Sequence, residues 1–93
     1  MRSYASIDRI EEKFAVCEVE MIEIENSKPE DYCEKETKMI NMQLEKITAS
    51  IGNVQEGDIL VIEHNREEIT EVYCKDEEEK QRRMAVLKEL QEG

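Results

Sequence analysis

Cys17, Cys33, Cys74 and His64 are the residues whose chemistry would matter most if they met. By count they make a Cys3His set, three thiolates and one imidazole for a tetrahedral zinc ion. Their spacing argues against it. No two cysteines stand at the close C-x2–4-C separation of a structural site, so all four side chains would have to converge through the fold. Cys17 and Cys74 fall in expected strands, where a free cysteine packs as a small hydrophobe.

His64 has an ordinary pKa near neutrality and could serve as a general base. The sequence offers no nucleophile or orienting carboxylate to go with it, and its place beside Asn65 and Arg66 equally suits an exposed turn. No D-x-D-x-D-G calcium loop, phosphate-binding glycine loop, G-x-S-x-G or H-E-x-x-H occurs. Three glycines leave little from which to build an open active-site loop. The expectation is a non-enzymatic chain without a cofactor, with metal binding through Cys17, Cys33, Cys74 and His64 as an alternative.

The 93 residues are expected to form one domain around one small core. Charged residues reach 40% and the net charge is −11, spread over every part of the chain. No basic patch exists to neutralise phosphates, so neither nucleic acid nor an anionic membrane surface is an expected partner. A dispersed acidic surface chiefly keeps a protein soluble. The sharper reading is an acidic mimic of DNA that occupies a basic protein. The N-terminus lacks the apolar core of a secretory signal, and no run reaches membrane-spanning length. With an odd number of cysteines, this places the chain in the cytoplasm, as a monomer or weak homodimer.

The elements are organised around Gln55-Glu56-Gly57-Asp58-Ile59-Leu60-Val61-Ile62, where a turn runs straight into the most apolar segment. Three of its four large apolar residues are β-branched, which predicts a buried strand over 59–63. Upstream, 3–10 and 14–24 read as strands joined by Glu11-Glu12-Lys13. Residues 26–31 read as a loop carrying the single proline, and 32–38 are polar and unassigned. Alternating Ile40, Met42 and Leu44 predict a strand over 39–47, followed by a connector over 48–53 with Ile51 tucked beneath it. A turn at 64–67 and a fifth strand over 69–74 complete a small five-stranded barrel or curved antiparallel sheet, α+β and mainly β.

The last segment predicts a helix from residue 76. Asp76 is a good N-cap, and Glu79 three residues on completes a capping box. Glu78–Arg82 and Glu79–Arg83 stand at i, i+4, each adding about 0.2–0.5 kcal/mol. Met84, Leu87 and Leu90, with Val86 beside them, form one apolar stripe. It either packs on the sheet or binds a partner, which makes Met84, Leu87 and Leu90 the partner-binding candidates.

Three segments resemble, in order, the small bacterial DUF family numbered three thousand and six. They are Ile7-Asp8-Arg9-Ile10 leading to Phe14-Ala15-Val16, then Glu56-Gly57-Asp58-Ile59, then the helix ending Leu87-Lys88-Glu89-Leu90. Members read roughly I-D-R-F-E-x-x-x-A-V, later E-G-D-V, then a helix rich in Lys, Arg and Glu. Here Glu12-Lys13 stands where members often have glycine, Ile51-Gly52 replaces a usual Leu-Pro, and residues 20–47 are longer than the family's middle. The resemblance implies only a small family without assigned activity, often encoded near metallo-β-lactamase-fold or competence-type hydrolases, and it carries over no functional residues. The function expected of this chain is that of an accessory, protein-interaction domain. Asp8 and Arg9 are the family's most recognisable charges, and a regular strand would place them on opposite faces, one of them in a structural role bound to backbone or to an opposite charge such as Glu18.

Overall fold

A two-residue turn at Glu12-Lys13 fixes the first hairpin: β1 (Arg2–Glu11) runs into it and β2 (Phe14–Glu20) returns antiparallel, with Glu11 opposite Phe14. The computed structural model describes residues 1–26, 36–65 and 67–92, without the side chains of 90–92. After a single 3-10 turn (Ile24–Asn26) come β3 (Thr37–Gln43), α1 (Leu44–Ile51), β4 (Ile59–His64), β5 (Ile69–Lys75) and α2 (Glu77–Glu92). The strands form one antiparallel sheet in the order β3-β2-β1-β4-β5. This is the expected mainly β, α+β architecture, a curved sheet left open rather than a closed barrel. α1 packs against both edge strands, β3 and β5, and so spans the opening.

The inner face holds the core. Ala5 and Ile7, Ala15, Cys17 and Val19, Ile40, Leu60 and Ile62, and Val72 meet there and cover Ile47 of α1. Leu60 and Ile62 are fully buried, each contributing about 1.5–3 kcal/mol. A bulge in β1 makes this face possible: Ile7 pairs with Cys17 and Arg9 with Val16, so Asp8 is the extra residue. Without it Ile7 and Ile10, three apart, would point to opposite faces. With it both reach the core, and Ile10 packs against the cluster.

The same bulge sets which opposite charges Arg9 meets. Asp8 no longer alternates with it, and Arg9 pairs with Glu11 (2.6 Å) and Asp8 (3.2 Å) rather than with Glu18.

Element boundaries also differ, and a second helix, α1, replaces the expected strand end and most of the expected connector over 48–53. The strand expected over 39–47 ends at Gln43, because β2 runs out at Phe14, and the Leu44 amide donates to the Lys13 carbonyl (2.7 Å). Leu44, Ile47 and Ile51 then stand at i, i+3 and i+7, and a helix turns all three onto the core. Gly52 at φ 84° ends it, its amide donating to the Thr48 carbonyl. The strand expected over 14–24 stops at Glu20, since the Ser3 hydroxyl takes the Ile22 carbonyl (2.7 Å) and the chain bends into the 3-10 turn. The proline-bearing loop beyond Asn26 lies outside the described residues.

The expected turn before β4 forms, with Gly57 at φ 89°. Asp58 reaches back, its carboxylate accepting from the Gln55 amide (2.9 Å). The Gly57 amide donates to the Ile7 carbonyl (2.8 Å) and the Ile7 amide to the Asp58 carbonyl (2.9 Å), so this turn sits on the β1 bulge.

At the first hairpin, Glu12 is held at φ 46°, where an L residue with a Cβ is strained. Glu12→Gly is expected to raise stability by about 0.5–1 kcal/mol, read as a higher urea midpoint with an unchanged slope.

Candidate functional site: a groove between α2 and the outer face

Alternation along the strands turns Tyr4 and Ser6, Val16, Glu18 and Glu20, and Ile59 and Val61 to the outer face. α2 lies across that face, and its first turn is fixed by hydrogen bonds. The Asp76 amide donates to the Ile59 carbonyl (2.8 Å), and Asp76 Oδ1 accepts from the Glu79 amide (2.9 Å). The expected N-cap is present, but its reciprocal half is not. Glu79 instead turns its carboxylate to Arg82 (2.8 Å) and Arg83 (2.7 Å). Glu78 pairs with Arg82 as expected (3.2 Å).

A buried ionic cluster docks the helix. Arg83 pairs with Glu20 of β2 and with Glu79 of its own helix, and all three side chains are at most 4% exposed. Its guanidinium stacks on the Tyr4 ring, 4.9 Å from the centroid. Burial pushes the Tyr4 hydroxyl's pKa up, helped by the nearby carboxylates of Glu79 and Asp76. A second tie joins α2 to the turn before β4, where Lys80 Nζ donates to the buried Asp58 carboxylate (2.9 Å). Burial opposes ionisation of Asp58, but Lys80, the Gln55 amide and Lys75 outweigh it and hold its pKa below the ordinary value.

Glu79, Arg83 and Leu87 are four apart and form one line down the helix. The buried part of that line is ionic: Glu79 and Arg83 carry the docking contact, and among the described side chains of the apolar stripe Leu87 is only partly packed. Met84 remains 55% exposed and Leu87 half-buried. Both line a groove of about 430 Å³, walled also by Ser6, Asp8, Glu18, Glu56, Ile59 and the stems of Lys80 and Arg83. Register explains the hollow. Ser6 is directly opposite Glu18 on one side and Ile59 on the other, a small residue between two larger ones. Of the partner-binding candidates, Met84 and Leu87 therefore line one groove, whereas the Leu90 side chain lies outside the described residues.

The zinc set does not come together. Cys17 is buried in the inner core, where desolvation pushes its thiol up to about 11. Cys74 is exposed and pairs with Val61, which turns to the outer face. Cys33 lies outside the described residues, among which no three His, Cys, Asp or Glu side chains group as metal ligands.

His64 is not the exposed turn residue its neighbours suggested. It ends β4 facing inward, 2% exposed, with Nε2 2.9 Å from the Ser3 hydroxyl. Asn65 makes the turn, its Oδ1 accepting from the Glu67 and Glu68 amides. Sequence reasoning named no serine for His64, because the two are 61 residues apart. Fully buried Ser3 donates to the Ile22 carbonyl, so this pair closes the end of the core and offers no accessible nucleophile.

Of the residues that carry the family resemblance, Ile7, Asp8, Glu56, Gly57, Ile59 and Leu87 line the groove, whereas Phe14-Ala15-Val16 do not. No family model matches the chain, nor does any curated protein or solved structure.

Two outcomes test this account. Arg83→Met alone is expected to cost about 3–5 kcal/mol by stranding buried Glu20, and Glu20→Leu/Arg83→Met to recover most of it, measured by urea unfolding. His64 should titrate below 6.5, because burial and then the nearby N-terminal amine disfavour its charged form, against weaker support from Glu63 and Glu23. With the folded pKa depressed, its contribution to stability is present above pH 6.5 and is lost as pH falls through the folded value. The single histidine makes the midpoint readable from one proton resonance.

Proposed function

We propose that the chain is a non-enzymatic accessory domain that holds a protein partner in the groove between α2 and the outer face of the sheet. The observation that carries this reading is Met84, a large apolar side chain 55% exposed at the mouth of a groove that also contains Leu87 and Ile59. Clustered apolar surface around a concave site favours binding, whereas a lone exposed hydrophobe does not. Among the described residues, Ser3, His64 and Cys17 lie inside the fold and away from the groove. A neighbouring hydrolase, near which members of the resembled family are often encoded, is the partner this reading favours. The sheet architecture by itself assigns no ligand, since function resides in sites rather than folds.

A lysate pull-down with wild type and Ser6→Phe tests the reading. Phe suits a strand and would fill the hollow between Glu18 and Ile59 without touching the inner core. A partner retained by wild type and lost by the folded variant supports the groove. Equal retention by both places the interface elsewhere and sinks the proposal.

A further inference from the structure

The charges that line the groove are not equivalent. Its two cations are already neutralised from within. Lys80, 18% exposed, donates to Asp58, and Arg83, 4% exposed, is shared between Glu20 and Glu79. The carboxylates of the rim are left facing outward. Glu18 and Glu56 make no ion pair among the described residues, and Asp8 shares with Glu11 an Arg9 that is itself 54% exposed. The groove therefore presents apolar walls from Ile59, Met84 and Leu87 inside an acidic rim.

We infer that the occupant is a short cationic amphipathic segment of a protein partner, with one or two apolar side chains entering the groove and flanking lysine or arginine side chains meeting Glu18, Glu56 and Asp8. The inference rests on the groove being the partner site. The volume, about 430 Å³, suits a few side chains. Strand addition is excluded at this place, because the groove overlies β1, β2 and β4, none of which is an edge strand. The occupant must be held by its side chains. Each exposed ion pair contributes little alone, but an acidic rim on a chain of net charge −11 steers a basic segment inward and repels an acidic one.

The test uses fluorescence anisotropy with three labelled synthetic peptides of one length: amphipathic Lys/Leu, Glu/Leu in the same pattern, and Lys/Ser. Each is titrated with wild type, Ser6→Phe and Glu18→Gln/Glu56→Gln. The His64 resonance, on the opposite face, confirms that each variant is folded. The expected result is that Lys/Leu binds wild type, about three- to tenfold more weakly to the carboxylate variant, and not measurably to Ser6→Phe, while Glu/Leu fails to bind. Glu/Leu binding as well as Lys/Leu, and lost with Ser6→Phe, would overturn the cationic occupant yet leave the groove as a partner site. Lys/Leu binding unchanged by Ser6→Phe and matched by Lys/Ser would show mere attraction to an acidic surface and overturn the inference. Absence of Lys/Leu binding to wild type overturns it too, and the pull-down then decides separately whether the groove binds a partner.

Discussion

Arg83 stands between two buried carboxylates, Glu20 on the sheet and Glu79 one helical turn before it, and the placement of α2 follows from that contact. A buried guanidinium must be satisfied on several sides, and its fork can engage two carboxylates at once. Glu79 is held a second time by Arg82, and Tyr4 supplies an aromatic face beneath Arg83. Such a cluster is directional. An apolar stripe would let the helix slide or roll, whereas three hydrogen-bonded charges define its register on the strands. Specificity of this kind has a cost, since desolvating the charges offsets much of their attraction.

Because ions dock the helix, Met84 remains exposed and Leu87 only half-buried. Met84 and Leu87 would be core residues if the stripe faced the sheet squarely. Instead they border a hollow made by Ser6, and the Lys80–Asp58 pair holds the other side. The groove is thus a consequence of how the helix is fastened. The same fastening consumes its cations and leaves the acidic rim, so its shape and its charge have one origin.

The inner face follows ordinary packing, yet one irregularity links it to the groove. The β1 bulge that lets Ile7 and Ile10 both reach the core also lifts Asp8 out of the alternation, onto the groove's edge. The Gly57-Asp58 turn then hydrogen-bonds to the bulged backbone and offers its carboxylate to α2. Core, turn and helix therefore meet at one point.

Much of this fold was legible in the chain. Gly57 before Ile59-Leu60-Val61-Ile62 marked the turn and the buried strand, because positive φ and β-branched apolar runs are local properties. Asp76 and the Glu–Arg spacings marked α2 for the same reason. Leu44 misled, since it fits both an alternating strand and a 3.6-residue helix, and only the end of its partner strand at Phe14 decides between them. The bulge was hidden because a strand's pattern does not reveal which residue its neighbour skips. His64 and Ser3, like Arg83 and Glu20, lie more than sixty residues apart in sequence and meet only through strand order and helix placement. The sequence by itself determined the local elements and the excess of acid. Tertiary structure decided which charges are buried together and which remain to meet a partner, because burial and neutralisation are set by contacts between segments that no local pattern records.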